Sequence, residues 1–402
     1  MSVRVVDGDL VTAYGVGIDA CWDGLLDRRS AVKPVTRFST EPFQCHSAAT
    51  LDGLTSGEGD SIVWQMIEKL LTENDPRIPP DAPLFLASTT GEIDFLEQGD
   101  AEESKLSVLL EKLCSRLDDS LVGQASCIQE PVLIANQDTP SRIREGRPTI
   151  KKRNSVVISS ACASSTVAIA QAAAQIERGE CECAVVVACD AVSEFVYSGF
   201  ASLMALDPKG ARPFDADRQG LSVGEAAGFV VLMSTERAEH EKRSSLGEIA
   251  GWGMSNDANH MTGPSRDGGA LARAIETSFA RANISPKKIA VVCAHGTGTQ
   301  YNDSMELKAF KTVFPEPTPI FSVKGGTGHT MGAAGLVETL LTLKVLRKEI
   351  ILPTVSLDDP DVDAEEWVSS EPDFLLNCEW ALTTNSGFGG VNAALVLRRR
   401  NS

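Results

Sequence analysis

The stretch Ser155-Val-Val-Ile-Ser-Ser-Ala-Cys162-Ala-Ser-Ser-Thr-Val-Ala-Ile-Ala-Gln-Ala-Ala-Ala-Gln-Ile-Glu-Arg178 reads as a β-branched strand over Ser155 to Ser159, a tight turn of small residues, and an alanine-rich helix from Ala161 to Arg178. The plan recurs. Pro319 to Val323 forms a second strand, Gly325 to His329 its turn, and Met331 to Lys348 its helix, with Leu336, Leu340, Leu343 and Leu346 at helical spacing. A further echo pairs Leu84 to Glu92, a strand followed by Thr-Thr-Gly, with Ile289 to Thr299, a strand followed by His-Gly-Thr-Gly-Thr. One copy of each pattern falls in either half, so the chain is expected to be α/β with two pseudo-repeated halves, 1–240 and 241–402. The boundary lies near Arg237 to Ser245, which is charged and lacks apolar periodicity.

The 402 residues exceed one ordinary domain, and their 43% apolar content can bury a deep site. Polar stretches at Gly53 to Ser61, Asn74 to Pro83 and Gln137 to Arg147 read as surface connections, with a covering helix from Glu102 to Leu117. The N-terminus lacks the order of a secretory signal, and no segment reaches the roughly 18 apolar residues of a membrane span, which implies a cytoplasmic protein. Ten cysteines in mostly apolar surroundings point to reduced thiols rather than a disulfide scaffold. Cys181-Glu182-Cys183 lacks a further ligand at finger-like spacing, so no metal is expected there. A net charge of −18 excludes general affinity for nucleic acid or anionic membrane.

Chemistry concentrates at three turns. Cys162 stands at a helix N-terminus, where unpaired N–H groups and the helix dipole favour thiolate. His295 opens the Gly-rich turn after the strand Ile289 to Ala294, and His329 ends another at the head of a helix, in the half that mirrors the cysteine turn. A cysteine with two histidines on mirrored turns suits acyl transfer through a thioester on sulfur, with N–H donors around a developing oxyanion. A cysteine protease would need only one histidine and an orienting Asn or Asp.

From Val11 to the C-terminus, most weakly over 56–154, the chain resembles the beta-ketoacyl-acyl-carrier-protein synthases of the elongating kind, in the thiolase superfamily. The resemblance rests on Ala161-Cys162-Ala163, Arg212-Pro213-Phe214-Asp215, Gly224-Glu225, Asp257-Ala258 with His260, His295 to Thr299, Asn302-Asp303, Lys324 to Glu338, and Gly387-Phe388-Gly389-Gly390. It implies a thiolase fold, a five-layered αβαβα sandwich. It also implies that Cys162 is the acyl acceptor, that His295 and His329 bind the malonyl thioester carbonyl and promote decarboxylation, and that Lys324, held by Glu338, supports them. The N–H groups of Cys162 and Phe388 would form the oxyanion hole, the Phe388 ring would gate an acyl pocket that Phe200 also lines, and Thr297 and Thr299 would hold the pantetheine arm. Ser386 stands where the family carries a phenylalanine, and Ala188-Cys189 where it carries Gly-Gly, so chain length is not read from the resemblance.

The same resemblance implies substrates carried on the phosphopantetheine of acyl carrier protein, no metal or redox cofactor, and a homodimer, or a heterodimer with a related inactive subunit, formed across the strand Cys183 to Cys189. The basic run Arg142, Arg144, Arg147, Lys151, Lys152 and Arg153 could steer an acidic carrier. A degradative thiolase would need a second catalytic cysteine where Phe388 stands, and Cys378 lies too early. A starter-unit synthase would carry Asn at His329, and a chain-length factor would lack Cys162. A non-catalytic acyl-binding subunit is the remaining alternative, against which the intact Cys-His-His set argues.

Overall fold

The structure is a computed structural model that describes residues 3–55, 59–122, 153–375 and 378–400. Its ten principal strands fall into two runs of five. The first run is β1 (Val3–Thr12), β2 (Leu84–Ala87), β3 (Ser155–Ile158), β4 (Cys183–Asp190) and β5 (Ala226–Ser234). The second is β6 (Gly247–Asn256), β7 (Ile289–Cys293), β8 (Ile320–Phe321), β9 (Trp380–Gly387) and β10 (Val391–Arg398).

Spatial order is β3-β2-β4-β5-β1 in the first run and β8-β7-β9-β10-β6 in the second, so the two runs share one topology. Directions repeat as well. The pairs β3/β2 and β2/β4 are parallel, β4/β5 and β5/β1 antiparallel, and the second run follows the same sequence. A short antiparallel contact of β1 with β6, Val3 to Val5 against Gly247 to Ile249, joins the two into one continuous sheet.

The helices that build the layers and the site, apart from shorter ones such as Ile18–Leu26, are α1 (Ile62–Asn74), α2 (Leu106–Val122), α3 (Ser164–Glu177), α4 (Glu194–Ser202), α5 (Gly269–Ala282), α6 (Gln300–Val313) and α7 (Ala334–Lys348). Helices α3 and α7 pack on each other and on strands of both runs, forming a middle layer. Their residues are small or apolar nearly all round, as a helix covered on both sides requires: Ala334 to Leu343 is buried without interruption. Gly335 lets them meet, because a Cβ there would lie 1.9 Å from Thr166 Oγ1. Helices α1 and α2 cover the outer face of the first run, α5 and α6 that of the second, completing five layers, αβαβα. Amphipathic α1 shows the outer pattern: Ser61 accepts from Trp64 N–H to start it, and Ile62, Val63, Met66, Ile67, Leu70 and Leu71 face inward.

Several sequence expectations shift. The helix expected from Ala161 begins at Ser164, because Ala161 adopts φ +48°. The helix expected over Glu102 to Leu117 runs from Leu106 to Val122, and the turn after Pro319 to Val323 contains one helical turn, Lys324–Thr327. The strand Cys183 to Cys189 is not an edge: all eight residues of β4 are buried, and β2 and β5 take both its sides. It cannot pair across a dimer axis. The open edge is β3, which pairs only with β2 among the described residues and exposes Ser155 and Val156. At the other end Ile320 N–H donates to Trp367 O and closes β8.

Arg142 to Lys152 lie outside the described residues. Arg153, the last of that basic run, is buried, with Nη1 donating to Pro79 O and Ala82 O and Nε facing Asp118, so it offers nothing to a partner. Among the described residues no helix is long and apolar enough to cross a membrane.

Candidate active site

Strand β3 delivers the chain to a turn in which Ser160 N–H donates to Ser164 Oγ, Ser164 Oγ to Ala161 O, and Ala163 N–H to Ser160 O. The left-handed Ala161 aims Cys162 out of the strand, two residues before α3 begins. The second half repeats the device. Met331, at φ +51°, stands three residues before Ala334, the first residue of α7, as Ala161 stands three before Ser164. Left-handed backbone at residues with a Cβ costs energy and persists where surrounding contacts enforce it.

His295 follows β7, and its turn is held by two carboxylates from the first turns of α6. Glu306 accepts from the N–H groups of His295 and Gly296 at 2.8 and 2.7 Å, and Asp303 from those of Thr297 and Gly298 at 3.0 and 3.1 Å. The amides of His295 to Gly298 are thereby satisfied, that of Thr299 donates to Thr297 Oγ1, and burial beside Asp303 pushes the Glu306 carboxyl up to about 8. Asn385, on β9, bridges three parts of the site: its Oδ1 accepts from Thr166, and its Nδ2 donates to Glu338 Oε2 at 2.7 Å and reaches His295 Nδ1 at 3.2 Å. A His295 Nδ1 that accepts leaves the proton on Nε2. Lys324 Nζ bonds Glu338 and the His295 carbonyl, with both charged side chains 1% exposed.

Cys162, His295 and His329 converge: one ligand atom of each lies within 4.8 Å of the others, and all three residues are buried. The imidazoles meet edge to face with centroids 5.1 Å apart, and His329 Nδ1 has no hydrogen-bond partner. Among the described residues this is the grouping that could hold a metal ion, and the Cys181/Cys183 pair is not part of it. The Lys324 charge acts on all three members and opposes a cation there.

Burial governs protonation. It pushes the Cys162 thiol up to about 11, against the pull of Lys324 and the backbone N–H groups of Phe388 and Cys162. The helix N-terminus alone therefore does not make the thiolate that its position suggested, because desolvation of the sulfur outweighs it. Burial and Lys324 hold both histidines well below the usual imidazole value, His295 being lowered by His329 too. The resting site is thus a thiol beside two neutral imidazoles. Alkylation of Cys162 by iodoacetamide should accelerate with pH all the way toward about 11. A rate already level at neutral pH would contradict this protonation state.

Cys162 and both histidines line a cavity of about 470 Å³ together with Phe200, Thr297, Thr299, Ser386 and Phe388. Phe200 and Phe388 lie 6.1 Å apart between ring centroids, and Phe388 is 37% exposed. Thr297 Oγ1 and Thr299 Oγ1 share a hydrogen bond of 2.9 Å. Ser386 Oγ donates to Asn392, whose Nδ2 donates to Asp257 Oδ1, giving this wall a polar chain. All the site residues expected from sequence are thus near one another, with Lys324 and Glu338 behind the histidines. Sequence reading missed the parts of Glu306 and Asn385. Glu306 had a signal, a carboxylate three residues after Asp303 just beyond a Gly-rich turn; Asn385 had only its place three residues before Phe388.

Comparison with known proteins agrees with this geometry. Residues 154–238 match the beta-ketoacyl synthase N-terminal domain, and residues 246–358 its C-terminal domain. The chain is 28% identical to the 3-oxoacyl-[acyl-carrier-protein] synthase 2 of Vibrio cholerae over 99% of both proteins, and 36% identical to that of Vibrio harveyi over 61% of each. Among solved structures, the ishigamide ketosynthase/chain length factor superposes with a TM-score of 0.81 at 25% identity, covering 100% of this chain and 99% of that one. With a buried Cys-His-His cluster set between two repeated α/β halves, the chain belongs to the beta-ketoacyl-acyl-carrier-protein synthases, condensing acyltransferases of the thiolase fold.

Proposed function

We propose that the protein joins an acyl group held on Cys162 to a malonyl unit on acyl carrier protein, with loss of carbon dioxide, to give 3-ketoacyl-carrier protein for fatty acid or polyketide-type biosynthesis. The observation that carries this reading is the approach of Cys162 Sγ and both imidazoles to within 4.8 Å at the wall of one cavity. The Cys162 sulfur attacks the acyl thioester, its proton passes through a neutral imidazole, and the pantetheine thiol leaves. Malonyl-carrier protein then enters. Cleavage of its carboxyl C–C bond leaves an electron pair as an enolate, whose oxygen takes hydrogen bonds from His295 Nε2–H and from His329. The enolate carbon attacks the Cys162 thioester and expels the sulfur, which takes up a proton from water to replace the one that left with the pantetheine thiol.

The oxyanion of both acyl transfers would lie between the N–H groups of Cys162 and Phe388, which already act on the sulfur in the resting site. Lys324 and Glu338 position His295 through its carbonyl and through Asn385. Thr297 and Thr299 would hold the pantetheine arm, and Phe388 with Phe200 would close the acyl pocket. Decarboxylation drives the condensation, so the chemistry calls for no metal or redox cofactor.

The two halves, 1–240 and 241–402, are read as the repeated thiolase-like units, supported by their common strand order. The open edge of β3 suits pairing with its counterpart in a homodimer, or in a heterodimer with a related subunit. Nine described cysteines that are all free thiols are in keeping with a cytoplasmic site of action.

The test is to incubate the protein with a panel of acyl-carrier proteins and record its intact mass, then add malonyl-carrier protein and look for the 3-keto product. Acyl mass should appear on the wild type and be absent from Cys162→Ala. No loading from any donor, or the same loading in the alanine variant, would leave a binding or partner-subunit role instead.

A further inference from the structure

Asp190, the last residue of β4, is buried and takes no part in the chemistry above. Its partners are backbone amides and hydroxyls drawn from two turns. Oδ1 accepts from Ser88 Oγ at 2.8 Å and from Thr90 N–H and Oγ1 at 3.1 Å, Oδ2 accepts from Thr89 Oγ1 at 2.7 Å, and Thr89 N–H lies 3.0 and 3.1 Å from the two oxygens. Those groups follow β2 in the first run of strands. The remaining bond crosses to the second: Gly332 N–H, next to the left-handed Met331 and two residues before α7, donates to Oδ2 at 2.7 Å. The fit is close, since a Cβ on Gly332 would lie 2.7 Å from Oδ2. A carboxylate this deep is tolerated where hydrogen bonds replace its water, and here they knot β4 and the Ser88 turn to the head of α7.

We propose that Asp190 is a positioning residue for His329, clamping the left-handed turn that follows it and so holding the imidazole at the cavity wall. The proposal rests on the condensing function above. His295 is held by its own ring, whose Nδ1 meets Asn385; the His329 Nδ1 has no hydrogen-bond partner among the described residues, so this ring depends on its backbone. That backbone is fixed at His329 by two bonds, His329 N–H donating to Ser222 O at 2.7 Å and Gly224 N–H to His329 O at 3.0 Å. Beyond it stands Met331 at φ +51°, a conformation that persists while neighbouring contacts enforce it. The bond from Gly332 to Asp190 is such a contact. The device matches that of the other histidine, whose turn hangs its amides on Glu306 and Asp303, but here the carboxylate comes from the other run of strands.

The experiment places Asp190→Ala, which removes the acceptor, and Gly332→Ala, which forces it away, in wild type and in His329→Ala. It measures carbon dioxide release from malonyl-carrier protein, and acyl loading of Cys162 by intact mass. In the wild-type background each substitution should lower carbon dioxide release about 10- to 100-fold, through kcat rather than KM, with loading within about threefold of wild type. In the His329→Ala background neither should lower it further, because both act through the one ring. Losses that multiply in the double variants, a parallel fall in loading, or no loss at all would each overturn the proposal. Should Asp190→Ala fail to fold, Gly332→Ala, which keeps every polar group, carries the same comparison. If wild type neither loaded an acyl group nor released carbon dioxide, the condensing function would fail and the clamp with it; an active wild type with unaffected variants removes the clamp alone.

Discussion

Alanine at His329 is expected to lower condensation by about 10²- to 10³-fold while acyl loading of Cys162 stays within severalfold of wild type. The His329 ring is 2% exposed, edge to face with His295, and its Nδ1 has no protein partner. A buried polar atom left unpaired is costly, and this ring stands in the group that approaches the sulfur within 4.8 Å, at the wall of the cavity that a substrate would enter. Because burial and Lys324 keep this ring neutral, in the proposed mechanism it would offer hydrogen bonds rather than a full charge to the enolate formed as carbon dioxide leaves. In the proposed mechanism acyl loading would develop its negative charge elsewhere, beside the N–H groups of Cys162 and Phe388, which the substitution does not touch. Carbon dioxide release from malonyl-carrier protein and the intact mass after loading separate the two steps. A parallel loss in both would show that His329 serves the cysteine as much as the malonyl group.

Lys324→Met is expected to destabilise the fold by about 3–5 kcal/mol in chemical denaturation, a large cost for one side chain. The ammonium bonds Glu338 and the His295 carbonyl at 1% exposure, so its removal leaves a buried carboxyl without its cation and a carbonyl without its donor. Adding Glu338→Leu should restore part of the stability by removing the stranded charge. Activity should not return with it, since Asn385 would lose the carboxylate that orients it toward His295. Recovery of condensation in the double variant would separate Lys324 and Glu338 from the histidine geometry.

The strand–turn–helix at Ser155 to Arg178 and its copy around Met331 were legible because every feature that specifies them is local: β-branched residues, then small ones, then a helical period. The Gly-rich turn after His295 was legible for the same reason. Its carboxylate clamp was half visible, since Asp303 and Glu306 lie close by in sequence at helical spacing. Asn385 was not, because its partners stand 47, 90 and 219 residues away and no local pattern marks a contact of that range. The sheet edge was misplaced for a related reason. The apolar run Cys183 to Asp190 fits an interface strand and an internal strand equally well, and only its pairing with both β2 and β5 shows which it is.

By itself the sequence determined that two α/β halves repeat, that Cys162 sits at the head of a helix, and that His295 and His329 end Gly-rich turns, because backbone preference and hydrophobic period are written within a dozen or so residues. Tertiary structure alone decided that these turns meet within 4.8 Å, that among the described residues β3 rather than β4 lies open, and that Cys162 rests as a thiol. The last reverses the local expectation: a helix N-terminus acts over its first turn, whereas the desolvation that outweighs it comes from the burial of Cys162 in the folded core.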